Sequence, residues 1–377
     1  MKVGLMLSHV SAGFSVKTQY YDRRTTFRSL LLIDNAIILH NGVLVHYNAF
    51  TVGESGLNTV QQALDTTQHG KPLQQLFTFD HLSLDLPPST TSVFDSFQKT
   101  ISEWQHWALV YDSWLGNFLS NHDQLVVASQ SLQHALLALF SCSLARTLFV
   151  YQGEELGMLN VPADWTISEY DDIVSKRYHK DVMAEKQEES AQKGVPVPAD
   201  FEKQVMMSIM RKARDNARTP IAWDDTPSAG FFSDPSAKFW MKFNPDNITC
   251  NVRVQRTDPT SVFHFWKRSI QLRKAHDVLV YGSYRVLDIP VPAPEEGQTG
   301  SPIFNFVREL DGVTAVFVGN FARARLEGVD LGRYVTDAAG EARYLSSKLV
   351  ACNYEVDKEE RSLQVLEPFE ARLYILS

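Results

Sequence analysis

A chain of 377 residues, 44% hydrophobic and 21% charged, has room for one large domain and a smaller one around a real core. Its formal net charge of −8 argues against a nucleic-acid binder, which would present a basic face. Three scattered cysteines, Cys142, Cys250 and Cys352, lack CxxC spacing; they argue against a disulfide scaffold and a zinc site and fit a reducing, cytoplasmic compartment.

The opening MKVGLMLSHVSAGFSVK has one early lysine and an apolar stretch broken by Ser and His, a poor signal peptide. LLLIDNAIIL (30–39) is about half the length of a spanning helix and carries Asp34 and Asn35, so it reads as a buried strand or helix, and no membrane segment is expected. From residue 49 a rhythm begins. AFTVGE (49–54) is a short apolar run closing on Gly53 and Glu54, followed by GLNTVQQALDT with Val60 and Leu64 at helical spacing. QLFTFDH (75–81) ends in Asp80 and His81, and LPPSTTS leads to a helical stretch, FDSFQKTISEWQHW (94–107). GNFLSNHDQ (116–124) precedes SLQHALLALFSCSLA, whose Leu132, Leu136, Leu139 and Phe140 make one helical face. TLFVYQGEELG (147–157) closes on Gly153, Glu154 and Glu155. Strands alternating with helices across long connections predict right-handed βαβ units, a parallel sheet, and polar residues gathered at the strand C-termini.

Residues 158–260 break this rhythm. A helix is predicted from Ser168 and Asp171 to about Gly194, stopped by Pro196 and Pro198, and another over FEKQVMMSIMRKARDNA (201–217). RTPIAWDD reads as extended, and PTSVFHFWKRSIQLRKAH (259–276) as a further helix with Val262, Trp266 and Ile270 on one face. Beyond VYGSY (280–284), the runs FNFVREL, VTAVFVGNF, LQVLEP and ARLYILS alternate between turns, the pattern of an antiparallel β-sandwich, with a boundary near residue 282.

Glu54 and Asp123 end the first and third strands of this rhythm. Two carboxylates on one face of a parallel sheet can divide the work of acid and charge stabiliser in glycoside cleavage. Carboxylates at strand ends are also common in purely structural roles, and spacing alone leaves both readings open.

TVGE (51–54), LFTFDH (76–81), NHDQ (121–124), YQGEELGM (151–158), RDNARTP (214–220) and YGSY (281–284), in this order, resemble the α-amylase superfamily (glycoside hydrolase family 13), in its α-glucosidase and oligo-1,6-glucosidase branch. The resemblance covers roughly residues 43–377. It implies an α/β fold: a partial (β/α)8 barrel of strands 5–8 over residues 43–281, an insertion at about 158–260 after the last strand, and a C-terminal antiparallel β-sandwich over 282–377. Residues 1–42 resemble nothing in the family. The resemblance further implies that Glu54 is the general acid/base and that Asp123 grips sugar hydroxyls and stabilises the oxocarbenium-like transition state. It implies that His122 donates to the same sugar and that Arg214 shapes the pocket floor, with neither metal nor cofactor. Arg218, Glu154 and Glu155 read as structural, and His81 as satisfying a loop carbonyl.

One part is missing. Family members are retaining enzymes, with a nucleophilic Asp in a GFRxD-like segment ahead of the acid/base. Here the only acids before Glu54 are Asp22 and Asp34, and just 19 residues lie between Asp34 and Glu54, barely a crossover helix and a strand. The implied activity is cleavage of terminal α-linked glucose from maltose- or isomaltose-like oligosaccharides or disaccharides, with no nucleic-acid or membrane partner. The missing nucleophile makes an inactive fragment or a sugar-binding relative the competing expectation. A transglucosidase or isomerase is a nearer alternative. The matched region is expected to be the C-terminal portion of a family-length chain.

Overall fold

The computed structural model describes residues 4–7, 41–47, 50–54, 63, 67, 73–82, 93–124, 131–234, 236–287, 289, 302–329, 349–354 and 364–376. The chain divides into two compact units, one formed by residues 1–117, 140–149 and 273–377, the other by residues 118–139 and 150–272.

In the first unit, β1 (Gly4–Leu7), β2 (Phe50–Glu54), β3 (Gln75–Phe77), β4 (Leu115–Asn117) and β5 (Thr147–Leu148) form one parallel sheet in sequential order. The four strands expected between residues 49 and 157 are β2 to β5, each shorter than its apolar run. β1 was not expected. It pairs in register with β2, Gly4 opposite Phe50 and Leu7 opposite Gly53, and so satisfies backbone groups that an edge strand would leave open. A Cβ at Gly53 would meet the Leu73 side chain, which would have to shift, so the glycine lets Leu73 and Leu76 close on the sheet as they stand. These leucines join Ala63, Trp104, Ala108 and Leu115 in one apolar cluster.

Helix α1 (Val93–Val110) buries Ile101, Trp104, Gln105 and Ala108, the i, i+3, i+4, i+7 face of an amphipathic helix. Gln105 is a polar staple in that face: its Nε2 donates to Asn117 Oδ1 (2.9 Å) and its Oε1 accepts from Ala145 N (2.7 Å), which fixes β4 against the approach to β5. Helix α2 (Ser131–Ser143) leaves orphan carbonyls at its C-terminus, as every helix does. Two buried arginines supply the donors. Arg273 Nη1 donates to Cys142 O (2.9 Å) and Leu144 O (2.6 Å), and Arg308 Nη1 donates to Ser143 O (3.0 Å). Burial pushes the Arg308 guanidinium down to about 9, still charged at neutral pH.

Past residue 282 come β6 (Arg285–Val286), β7 (Ile303–Leu310), β8 (Val313–Asn320), β9 (Leu326–Glu327), β10 (Leu349–Cys352), β11 (Val365–Leu366) and β12 (Ala371–Leu376). They make an antiparallel sheet of order β10-β12-β8-β7-β6 and a small β11-β9 sheet. Asp311 (φ 48°) and Gly312 (φ 81°) close the β7–β8 hairpin, and two positive φ values in a two-residue loop match the right-handed twist of the flanking strands. Leu326 and Leu366 of the small sheet pack on one face of the larger, with Val307, Val316, Val318 and Tyr374. The opposite face is not the solvated face of a free sandwich. Phe304, Phe306 and Phe317 surround Phe140 of α2 (ring centroids 5.1, 6.3 and 5.6 Å), and β12, paired between β10 and β8, is buried along its whole length.

In the second unit, α3 (Ile173–Lys193) starts at Asp172, whose carboxylate accepts from Ser175 N, and ends at Gly194 with φ 63°. With α4 (Phe201–Lys212) it encloses Val161, Trp165, Tyr170, Val205 and Ile209. The helix expected over 201–217 stops at Lys212, and Arg214–Ala217 forms a separate 3-10 turn. The cause is local. Buried Asp215 accepts from Asp171 N (2.6 Å) and Asp172 N (3.2 Å), while Asn216 accepts from Val161 N (3.1 Å) and donates to Met210 O (2.7 Å). These bonds pin the turn at an angle a continuous helix would not reach. Residues 218–225 are irregular, α5 (Val252–Thr257) was not expected, and α6 (Val262–Ala275) lies within the predicted span. Among the described residues no helix is long and apolar enough to cross a membrane; LLLIDNAIIL lies outside them.

Candidate active site

Strand β4 runs on into Phe118-Leu119-Ser120 and then the polar group. Asn121 forms the turn, its Oδ1 accepting from Asp123 N (2.9 Å) and Gln124 N (2.8 Å), with Asn121 N donating to Gln124 O (2.8 Å). An Asx turn of this kind leaves residues 122 and 123 at its apex.

Asp123 lies between two arginines of the pinned 214–218 turn. Arg214 Nη2 is 3.0 Å from Oδ2 and Arg218 Nη2 is 2.8 Å from Oδ1. Arg218 also donates from Nε to His122 O (2.9 Å), and His122 Nε2 is 3.5 Å from Asp123 Oδ1. The side chains of Asp123, Arg214 and Arg218 are 34%, 39% and 33% exposed, so charges and lone pairs remain open to a ligand. An ionised carboxylate has about four acceptor positions. Each arginine takes one oxygen from one side, and the remaining lone pairs can accept from sugar hydroxyls.

Three of the four predicted site residues, His122, Asp123 and Arg214, therefore meet in the second unit. Glu54 is the last residue of β2 in the first unit, half-buried and in register with Phe77. Arg218, expected to be structural, holds Asp123 as directly as Arg214 does. The signal was present in RDNAR: one short turn, Arg214–Ala217 with Arg218 directly after it, carries both arginines. His81 lies in a 3-10 turn, Asp80–Leu82, and Asp22 and Asp34 lie outside the described residues.

Tyr151 adds a contact that sequence reasoning did not identify. Its hydroxyl donates to Ala217 O (2.9 Å), between the two arginines, and burial pushes its phenol pKa up. Two residues on, Gly153 adopts φ 93°, where a Cβ would meet Met158 Sδ at 2.7 Å, and opens the 3-10 turn Glu154–Leu156. Burial raises the Glu154 carboxyl to about 7, while its Oε2 accepts from Tyr151 N (3.2 Å). Glu155 Oε2 accepts from Gly153 N (2.7 Å). Among the described residues no group of three or more His, Cys, Asp or Glu side chains converges to hold a metal ion.

Residues 35–282 match the model of the alpha amylase catalytic domain. The chain is 32% identical to an oligo-1,6-glucosidase of Parageobacillus thermoglucosidasius over 352 residues, 89% of this chain and 56% of that protein. It is 32% identical to an alpha-glucosidase of Schizosaccharomyces pombe over 302 residues, 74% of this chain and 48% of that protein. A crystal structure of a mutant isomaltulose synthase from Erwinia rhapontici in complex with sucrose superposes with a TM-score of 0.71 at 26% identity, covering 91% of this chain and 58% of the other. The chain thus spans about half the length of the curated relatives it matches. The fold is TIM-barrel-like α/β with C-terminal β sheets.

Proposed function

Because the chain belongs to the alpha-amylase family, we propose that it carries the sugar-gripping half of an α-glucosidase-type glycoside hydrolase active on terminal α-linked glucose of maltose- or isomaltose-like substrates. Residues 43–281 are then the C-terminal half of the barrel, with the insertion at about 158–260, and 282–377 the C-terminal β domain. The observation that carries this reading is the Asp123 carboxylate held between Arg214 and Arg218 at the end of a parallel strand, with its outer lone pairs open. Glu54 is the acid/base: it protonates the leaving oxygen and later takes a proton from water. Asp123 and His122 bind hydroxyls of the terminal sugar and favour its flattened, positively charged transition state. Arg214 and Arg218 keep Asp123 aimed. Three free cysteines support a cytoplasmic setting.

A second reading is favoured by one feature of the sequence. No GFRxD-like segment precedes Glu54, and a retaining mechanism requires a nucleophile on the opposite side of the sugar. In that reading the chain binds sugar without cleaving it. The purified 377-residue chain tests both. Turnover of p-nitrophenyl α-glucoside that Glu54→Gln abolishes supports hydrolysis. Maltose binding without turnover, weakened by Asp123→Asn, supports the binding relative. Neither turnover nor binding overturns both.

A further inference from the structure

The segment GEELG (153–157) carries a glycine at each end of one 3-10 turn, and each glycine makes room for a neighbour. Gly153 admits Met158, and at Gly157 a Cβ would press on the His134 ring at 3.2 Å. His134, on α2, and Met158 thus come close to the turn. With Leu119, Leu137 and Trp266 they wall a cavity of about 20 Å³ beside Glu154, whose polar lining is Ser120, His134 and Glu154. Trp266 Nε1 donates to the Glu154 carbonyl (3.0 Å) and fixes that wall to the turn.

Two polar atoms of these residues are left over. Oε1 of Glu154 and Nε2 of His134 are closed to solvent, and neither has a hydrogen-bond partner in the protein. His134 as a whole is only 7% exposed. Folded proteins rarely leave such groups unpaired, because each has given up its hydration for nothing. Size and chemistry select what can pair with them. One water needs roughly 10–15 Å³, so a cavity of about 20 Å³ admits one and nothing larger. Two side chains make a poor cage for a cation, and among the described residues no group of three His, Cys, Asp or Glu converges to hold one. The partner must also serve in either role. Burial holds His134 down to about 4, so at neutral pH its ring is uncharged, and Nε2 donates in one tautomer and accepts in the other. The Glu154 carboxyl, raised to about 7, likewise exists with and without its proton. A water both donates and accepts, and it satisfies every combination. We propose that this cavity is a binding site for one ordered water, which bridges His134 Nε2 and Glu154 Oε1 and so ties α2 to the Glu154–Leu156 turn. The site is independent of the sugar-binding role given to Asp123.

The test is a crystal structure of the full chain at a resolution that shows ordered water, paired with water magnetic relaxation dispersion, which counts long-lived internal waters in solution. Wild type is expected to show one density peak within hydrogen-bond distance, roughly 2.7–3.2 Å, of both atoms. His134→Phe removes one partner and fills the space with ring carbons. Its relaxation amplitude is expected to fall by one long-lived water. Glu154→Met removes the other partner at similar length and is expected to lose the same water; it serves should the phenylalanine variant not fold. Glu154→Gln keeps a polar atom facing His134 and is expected to retain the water. An empty cavity in wild type, a direct His134–Glu154 hydrogen bond in its place, or a peak at metal–ligand distances overturns the proposal. So does a relaxation amplitude that His134→Phe, or Glu154→Met in its stead, leaves unchanged.

Discussion

Two pairs of arginines, one in each compact unit, use the same side chain for opposite ends. Arg273 and Arg308 are buried, and their nitrogens donate to main-chain carbonyls: those of Cys142, Leu144, Leu279 and Arg146 for the first, those of Ser143, Leu279, Gly282 and Ser283 for the second. Arg214 and Arg218 are about one-third exposed and spend their strongest bonds on one carboxylate. The first pair finishes a helix end and joins it to the C-terminal sheet. The second pair flanks a carboxylate that stays one-third exposed. The difference lies in the acceptor. A carbonyl is satisfied by one or two donors, whereas a carboxylate held from two sides still has lone pairs to offer.

That contrast can be broken most forcefully at Arg308. Arg308→Leu leaves the Ser143, Gly282 and Ser283 carbonyls in a dry interior without their arginine donor, Leu279 O keeping Arg273, and should lower unfolding stability by about 4 kcal/mol, measured by urea denaturation. Arg308→Lys should recover only part of it, because one ammonium cannot reach acceptors arranged for a planar fork.

A pH experiment sharpens the comparison next. Glu154 is raised from 4.5 to about 7 by burial, with Glu155 adding to the rise, and it faces Tyr151 and a His134 that burial lowers to about 4. Between pH 4.5 and 7 the folded chain holds a proton the unfolded chain has released, so this group's stabilising contribution is full below 4.5 and is lost as pH rises through 7. His134 acts in the opposite direction: its contribution is present above 6.5 and lost as pH falls through 4. Subtracting wild type from Glu154→Gln isolates the glutamate. The variant should gain up to about 3 kcal/mol relative to wild type between pH 5 and pH 8, read from unfolding curves at both values. A constant difference would mean that the carboxyl keeps its ordinary titration.

The smallest stability effect belongs to the exposed arginines. Arg214→Ala and Arg218→Ala should each change unfolding free energy by less than about 1 kcal/mol. Each should weaken maltose binding by about tenfold, measured by calorimetry, since Asp123 then loses one of its two guides. A loss of several kcal/mol in either variant would place this pair with Arg273 and Arg308 as structural.

The strands β2 to β5 and the helices α1 and α2 were legible because apolar runs, carboxylate or amide ends and helical faces recur from residue 49; the helix expected over GLNTVQQALDT, Ala63 apart, lies outside the described residues. Asp123, His122 and Arg214 were legible through the motif resemblance. Three features were not. β1 offers only GLML inside a weakly apolar segment, and its strand state depends on the open edge of β2 rather than on its own pattern. The end of α4 at Lys212 depends on Asp215 and Asn216 bonding to segments some 40 to 55 residues earlier, which no local propensity contains. The doubly buried C-terminal sheet depends on Phe140, whose helical face said only that it would be buried, not against which partner.

The position of Arg308 in β7 also has a consequence for the order in which the chain is finished during synthesis. Ser143, whose carbonyl it closes, is made 165 residues earlier. The β7–β8 hairpin can assemble from neighbours within microseconds once its turn has left the ribosome. Helix α2 must wait for it with that carbonyl uncapped by arginine until residue 308 has been made.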